Sequence, residues 1–486
     1  MKKVFSRLKL FKELPIINLF FIAIMIPFLR LIIKFNYDND FWFTINQGRY
    51  VLEHGFPIKA INVIHNLDFL YQSWGSGVLF YLVYNYLGNY GIIALLIIVM
   101  ELTSFFFYKL CYVISEDKRK SLIVTIIVMI LYNFYFSVTR PHIFTILNLV
   151  IMFYLFESYF KTFEKKYLYF LPVLSLLEIN MHGIYFIVLL VIMFPYLLST
   201  FKFKIGNIVS AGCRKREIFI TYFFMLLTGL INPYGINTII YGFSSYSSSS
   251  LMNNVIVELL APNFHKSFGK VIIITILLLY IIYFKSDKKI HFRYYLFLIG
   301  TSYLALDGVK SFSLFIVSAG FPLALMLKNT YKEKKYSKFY CLFHSALACI
   351  IIITLCININ VNDDINIKKY ADYLDNVADK EKTKLYTNFF DGSYMEWRGY
   401  LCYIDPRAEV FLKSNNHQED ILKEYFELQY LDFNYQEFLD KYEFDYLLLN
   451  KKDDTLYKLL LVKNEKYNII LEDESYALYQ RIVENY

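Results

Sequence analysis

Cysteine is scarce in this chain, and what there is lies scattered. The six cysteines stand at 111, 213, 341, 349, 356 and 402. None forms a pair with metal-ligand spacing, and most fall inside apolar runs, so no disulfide framework is expected. Internal repeats are also lacking, which takes sequence support away from the duplicated architecture of many secondary transporters. The first apolar run follows a basic stretch but is long and has no small-residue cleavage pattern, so it reads as a retained span rather than a removed signal. The last stretch, from about 358 onward, has no run of the ~20 apolar residues that cross a bilayer.

Apolar residues are abundant. Of 486 residues, 57% are hydrophobic, and the mean hydropathy is +0.39. About eleven runs suit a bilayer core. They fall near 14–33, 90–114, 121–138, 143–160, 167–180, 184–200, 218–232, 269–284, 292–306, 312–327 and 339–357. The 45 Tyr and 47 Phe suit interfacial belts. The net charge of +8 does not point to nucleic acid, because the Lys and Arg are spread over short gaps between apolar runs. Those clusters are Lys2 to Lys12, Lys118 to Lys120, Lys161 to Lys166, Lys202 to Arg216, Lys285 to Lys289 and Lys328 to Lys338. They occupy alternate gaps, as a cytoplasmic face requires. The expected protein is α-helical and polytopic, sits in the cell membrane, and has a cytoplasmic N-terminus.

The remaining gaps face outward. A long outer loop covers about 34–75, with an interfacial helix over Phe41 to Glu53, and a second covers about 233–268. Residues 1–357 then form the membrane domain. Residues 358–486 form a small extracytoplasmic α/β domain, with helices at Ile367 to Ala378 and Ile421 to Tyr442. Its strands are expected at Lys384 to Asn388, Tyr446 to Leu449, Tyr467 to Leu471 and Tyr476 to Arg481.

Candidate chemistry collects in the outward gaps. Asp38 and Asp40 have the spacing to share a divalent cation such as Mg or Mn. One can instead take a proton from an attacking hydroxyl while the other assists. A helix cap is the competing role for an Asp at this place. Arg140 and His142 flank Pro141 at a tight turn, where a guanidinium fork suits a lipid phosphate. Glu178 and His182 are four apart, so a helix would put them on one face, suited to orienting a base, to metal ligation or to ending the helix. Glu258, Asp307 and Lys310 lie in later outer loops, able to complete a cavity or to be solvated. Arg398, Asp405 and Arg407 read better as an ion-paired structural group than as acceptor contacts.

Several of these residues sit in motifs. Asp38-Asn39-Asp40-Phe41-Trp42, Gly48-Arg49-Tyr50 and Glu53-His54-Gly55 resemble the first-loop signature of a large group of bacterial membrane proteins. That group is similar to the GT-C glycosyltransferase superfamily, which includes protein O-mannosyltransferases. Arg140 to Phe144, Asn180 to Gly183, Asn232 to Gly235 and Ile404 to Ala408 continue the resemblance in order. Thr44 stands where the group often has His, and Asp307 to Lys310 where it often has Arg. The resemblance implies a GT-C-like bundle with a catalytic acid at Asp38 or Asp40 and a polyprenyl-phosphate-linked sugar donor. Arg140, His142 and Lys310 then become candidates for the donor phosphate, with Arg49, Glu178, His182 and Glu258 in support. The acceptor would be a glycan, lipid or protein at the outer surface. Two other classes remain open: a transporter or flippase for a lipid-linked sugar, and a non-catalytic protein of envelope glycan assembly. A transporter predicts several deep ionisable groups, and only Glu101 falls near the middle of a span. Topology reporters fused after Asn39 and at the C-terminus should both report the outer side; a cytosolic signal from either would overturn this arrangement.

Overall fold

The computed structural model describes residues 15–33, 37–136, 138–212, 215–247, 256, 258–327, 337–357, 365–432 and 434–482. The basic clusters at 2–12 and 328–336 and the serines at 248–250 lie outside the described residues. In chain order the first helices are α1 (Ile16–Ile33), α2 (Asn39–His54), α3 (Trp74–Ser115), α4 (Lys118–Phe136), α5 (His142–Thr162), α6 (Lys166–Met181) and α7 (Phe186–Leu198). A hairpin follows, β1 (Lys202–Ile205) and β2 (Ile208–Ala211), then α8 (Lys215–Leu227), α9 (Ile236–Ser247) and α10 (Ser267–Phe284). Next come β3 (Ile290–His291), α11 (Phe292–Asp307), α12 (Phe312–Gly320), α13 (Leu323–Met326) and α14 (Lys338–Ile357). The C-terminal elements are α15 (Lys368–Val377), β4 (Lys384–Tyr386), α16 (Gly392–Trp397), β5 (Leu401–Cys402), α17 (Lys413–Asn416), α18 (Ile421–Gln429) and α19 (Tyr435–Tyr442). They end with β6 (Tyr446–Asn450), α20 (Thr455–Val462), β7 (Tyr467–Glu472) and β8 (Tyr476–Arg481).

Helix occupies each apolar segment read from the sequence. Among the described residues five are long and apolar enough to cross a membrane: α3, α4, α5, α10 and the run Val309–Met326. Shorter apolar helices cover Ile16–Leu29, Gly183–Leu198 and Leu342–Thr354. The basic stretch Lys202 to Arg216 holds an unexpected element. Its hairpin β1–β2 pairs in parallel with β3, so two gaps between helices are pinned by one small sheet.

The chain divides into two compact units. The first comprises residues 1–36, 87–235 and 255–361. Within it α1 packs on α4 and α14, α5 on α6, α6 on α8, and α11 on α12. Its aromatic core is built from Phe153, Phe156, Tyr196, Phe297 and Phe321. A buried ion pair lies beside that core. Arg293 Nε and Nη2 donate to Glu157 at 2.9 and 2.6 Å, and the Tyr196 and Tyr294 hydroxyls each donate to the same carboxylate at 2.9 Å. Four donors repay the desolvation that makes an unpaired buried carboxylate so costly.

The second unit comprises residues 37–86, 236–254 and 362–486. Its sheet runs β5-β4-β6-β8-β7. The pairs β4–β5 and β4–β6 are parallel, and β6–β8 and β7–β8 antiparallel. The four expected strands are present, and β5 joins them. The expected helix over Ile421 to Tyr442 is two helices, because Leu431 takes a positive φ of 65° and Asn434 caps a new start at Tyr435, its side chain accepting from Gln436 N–H. The edge strand β5 does not stay open. Cys402 N–H donates to Asn62 O at 2.9 Å, and Ile64 N–H to Cys402 O at 3.0 Å, so residues 62–64 cover an edge that would otherwise invite pairing.

The α2 helix is fixed at both ends and along its side. Asp38 caps it, with Oδ1 accepting from Asp40 N–H at 3.1 Å, and Gly55 ends it at φ 87°. A Cβ on Gly48 would lie 2.1 Å from the Gly77 carbonyl oxygen, and one on Gly77 would lie 2.1 Å from the Tyr71 hydroxyl. Backbone therefore meets backbone here, and only glycine fits.

At the C-terminal ends of β4 and β6 two aspartates are held out of water. Asp391 accepts from Asn388 Nδ2 at 2.7 Å, and Asp454 accepts from Asn450 N–H at 2.6 Å. Burial pushes Asp391 up to about 6 and Asp454 up to about 7. A carboxyl raised on folding contributes stability that is complete below its unfolded value and lost as pH rises through the folded one. The Asp454→Asn variant keeps an acceptor for Asn450 but cannot ionise. It should match the parent in thermal unfolding at pH 3, pull ahead as pH rises from 4 to 7, and exceed it at pH 8 by about 4 kcal/mol. An unchanged difference between pH 3 and pH 8 would contradict this account.

Candidate functional site

Six of the nine candidate residues meet in the first unit. Pro141 opens α5 and sets Arg140 just before it, with His142 at its first position. Arg140 Nη1 donates to Glu258 Oε2 at 2.5 Å, with the two side chains 23% and 47% exposed. An anion approaching Arg140 must therefore compete with Glu258. The Glu258 backbone carbonyl in turn accepts from Lys310 N–H at 3.1 Å, and Leu260 O from Val309 N–H at 3.1 Å. These two bonds tie the loop before α10 to the turn Val309–Ser311 that opens α12.

Lys310 Nζ lies 5.9 Å from the centre of the Tyr185 ring. The same ring stacks on His182 at 4.6 Å and lies 5.3 Å from His142. The two imidazole rings are 6.3 Å apart. His142 Nε2 is 2.8 Å from Ser313 Oγ, and Ser313 donates its hydrogen to Lys310 O at 2.9 Å. The hydroxyl has a single hydrogen, so His142 must be the donor in the first of these bonds.

Below the histidines the carboxylate of Glu178 is buried, 1% exposed, and both of its oxygens are engaged. Thr145 Oγ1 donates to Oε1 at 2.7 Å and Asn148 Nδ2 to Oε2 at 2.8 Å. The Thr145 hydroxyl also lies 2.7 Å from His182 Nδ1. His182 ends α6, its N–H donating to Glu178 O at 2.8 Å. The Glu178–His182 pair is thus organised through a shared hydroxyl, as an oriented base is, and among the described residues no three His, Cys, Asp or Glu are grouped to hold a metal ion. Sequence reasoning passed over Thr145, Asn148, Tyr185 and Ser313. One signal was available: His142, Thr145 and Asn148 recur every three residues along an otherwise apolar helix, which puts them on neighbouring positions of one face.

The other three candidates belong to the second unit. Asp38 and Asp40 are half-buried at the start of α2, Asp38 being the cap already described. Arg49 is held by its own surroundings. Its Nη2 donates to Asn46 Oδ1 at 2.7 Å, and its guanidinium lies 4.5 Å from the Trp397 ring. The Trp42 ring meets Tyr394 at 5.0 Å, and Ser393 Oγ donates to Asn39 O at 2.7 Å. The segment carrying the two aspartates is therefore seated on α16.

Arg398, Asp405 and Arg407 have the structural role expected of them. Arg407 and its partners Asp405 and Glu396 are sealed from water, with side chains 0% exposed. Arg407 Nη2 donates to Glu396 at 3.0 Å, and its Nε to Asp405 at 3.0 Å. Burial, reinforced by Asp405, pushes Glu396 well above the usual carboxylate range. Arg398 pairs with Asp372 at 2.8 Å and with Asp375.

No family model matches the chain, and no curated protein does. Among solved structures it is similar to the crystal structure of the Archaeoglobus fulgidus oligosaccharyltransferase tethered through a disulfide bond to an acceptor peptide containing the NVT sequon. The two share 13% identity and a TM-score of 0.51, over 96% of this chain and 74% of that one. At that identity the likeness establishes the fold alone: the chain has an oligosaccharyltransferase-like architecture. The two kinds of ion pair should respond differently to mutation. Arg407→Leu strands a buried carboxylate and should cost about 3–5 kcal/mol, whereas Glu258→Gln should change unfolding by less than about 1 kcal/mol. Equal losses would erase the distinction between a structural pair and a displaceable one.

Proposed function

We propose that the chain transfers a sugar from a polyprenyl-phosphate-linked donor to an acceptor at the outer face of the cell membrane. The observation that carries this reading is the gathering of Lys310, His142 and His182 around Tyr185, with Arg140 two residues before His142 at the start of α5, in a chain with an oligosaccharyltransferase-like fold. The solved relative is itself held with an acceptor peptide, and an acceptor of glycan, lipid or protein class is assigned here by analogy.

In this reading the donor's phosphate meets Arg140 and Lys310. An acceptor hydroxyl attacks the anomeric carbon, its C–O bond forms as the sugar–phosphate bond breaks, and the polyprenyl phosphate leaves as an anion. Fixed cations near that phosphate stabilise the charge that develops there. On the resemblance of its motif alone, a carboxylate at the start of α2 is assigned as the group that takes the acceptor's proton. Asp38 caps the helix through one oxygen; the resemblance allows either carboxylate, and Asp40 is taken as the proton acceptor with Asp38 as its positioning partner. Magnesium is commonly held by one or two carboxylates together with phosphate oxygens. Asp38 and Asp40 are the carboxylates that would hold Mg or Mn, which would supply positive charge there.

Reconstituted protein should lose detectable transfer in the Asp38→Ala/Asp40→Ala double variant while expression and folding persist. Asp40→Asn alone should lower the rate by about 10²–10⁴-fold, and Asp38→Asn, which keeps a capping acceptor, should lower it less. Transfer retained in the double variant would remove the mechanism.

A further inference from the structure

The site contains a hydrogen-bond chain whose direction is fixed by counting hydrogens. Thr145 has one hydroxyl hydrogen and two neighbours that can use it, Glu178 Oε1 and His182 Nδ1, both at 2.7 Å. An ionised Glu178 has only acceptors, so the hydrogen points to it and His182 Nδ1–H donates to the Thr145 oxygen. His182 Nε2 is then a bare nitrogen. It has no hydrogen-bond partner among the described residues and is not sealed from solvent. The complementary arrangement reverses every bond. A protonated Glu178 donates to Thr145, Thr145 donates to Nδ1, and Nε2 carries the hydrogen.

We propose that Thr145 couples Glu178 to His182 as a proton relay, so that His182 Nε2 presents an N–H to an anionic phosphate oxygen in one state and a bare nitrogen in the other. The two states differ by one proton. As Nε2 gains it, the Nδ1–H bond breaks and its hydrogen passes to the Thr145 oxygen, and the former Thr145 hydrogen passes to Glu178 Oε1. The charge that disappears is the buried carboxylate's, and the imidazole is never cationic. That outcome suits its surroundings. His142 faces it from α5, Lys310 from the turn before α12, and Tyr185 from the turn before α7, with the Arg140–Glu258 pair beyond. Burial, reinforced by His142 and Lys310, holds the His182 imidazole well below the usual histidine range. An isolated imidazole here would stay neutral, so only the relay lets it take up a proton near neutral pH. The phosphate as ligand rests on the transferase reading; the relay itself does not.

The test uses the full chain purified in detergent, with no sugar donor. Diethyl pyrocarbonate modifies a bare imidazole nitrogen, and peptide mass spectrometry reads His182 separately from exposed His54. Between pH 8 and pH 5 the His182 rate in the parent should fall through a single titration. In Thr145→Val and Glu178→Gln it should stay flat over this range, the midpoint having fallen below pH 5. Thr145→Ser should restore the parent profile. A flat profile in the parent, or an unshifted titration in both Thr145→Val and Glu178→Gln, would overturn the relay. Failure of sugar transfer with this pattern intact would instead count against the transferase reading alone.

Discussion

Charge taken out of water must find partners, and this constraint organises the molecule more than any single apolar contact. Along α5 it operates twice. Glu157 collects Arg293, Tyr196 and Tyr294, while Thr145 and Asn148 collect Glu178. The two clusters are separated by roughly 18 Å, from twelve residues at ~1.5 Å each. In the second unit Arg407 plays the same part for Asp405 and Glu396. An unpartnered charge in such places costs several kcal/mol, so each cluster specifies which helices or strands must be neighbours. Apolar surface alone would allow many more packings.

The difference between structural and functional use of charge follows from exposure. The Arg407 and Arg293 pairs are sealed from water and bonded to buried carboxylates. The Arg140–Glu258 pair is partly open to water, and Lys310 stands over an aromatic face beside two neutral imidazoles. Such groups can exchange their present contacts for a ligand's at small cost. The sealed ones cannot, which is why Arg398, Asp405 and Arg407 belong to the scaffold although they are as polar as the residues of the site.

The helical segments were legible because length and apolar content are local properties. The C-terminal strands were legible through runs such as Tyr446 to Leu449. The break inside Ile421 to Tyr442 was not, because the apolar period continues across it while Leu431 turns the backbone left-handed. The hairpin at 202–211 was hidden too: its strands have four residues each, and the first carries two lysines of a basic loop. In the site, Arg140, His142, Glu178 and His182 stood out as polar groups close to helix ends. The link from Glu258 to Lys310 could not be read, since it joins backbone atoms 52 positions apart. Thr145 was overlooked for a different reason. Threonine is common in apolar helices, usually bonded back to its own turn as Thr103 and Thr125 are, and nothing local marks the one that reaches across.

The meeting of Gly48 with Gly77 has a consequence for how α2 carries its aspartates. Most packed helices touch through side chains, which can shuffle rotamers and let a helix roll by some degrees. Here carbonyl and Cα lie directly against one another, with the Tyr71 hydroxyl donating to Thr44 O at 3.1 Å alongside. There is no compliant layer to absorb rotation. The helix behaves like a shaft keyed into its bearing, and the angular setting of its first turn is dictated by two residues that have no side chains at all.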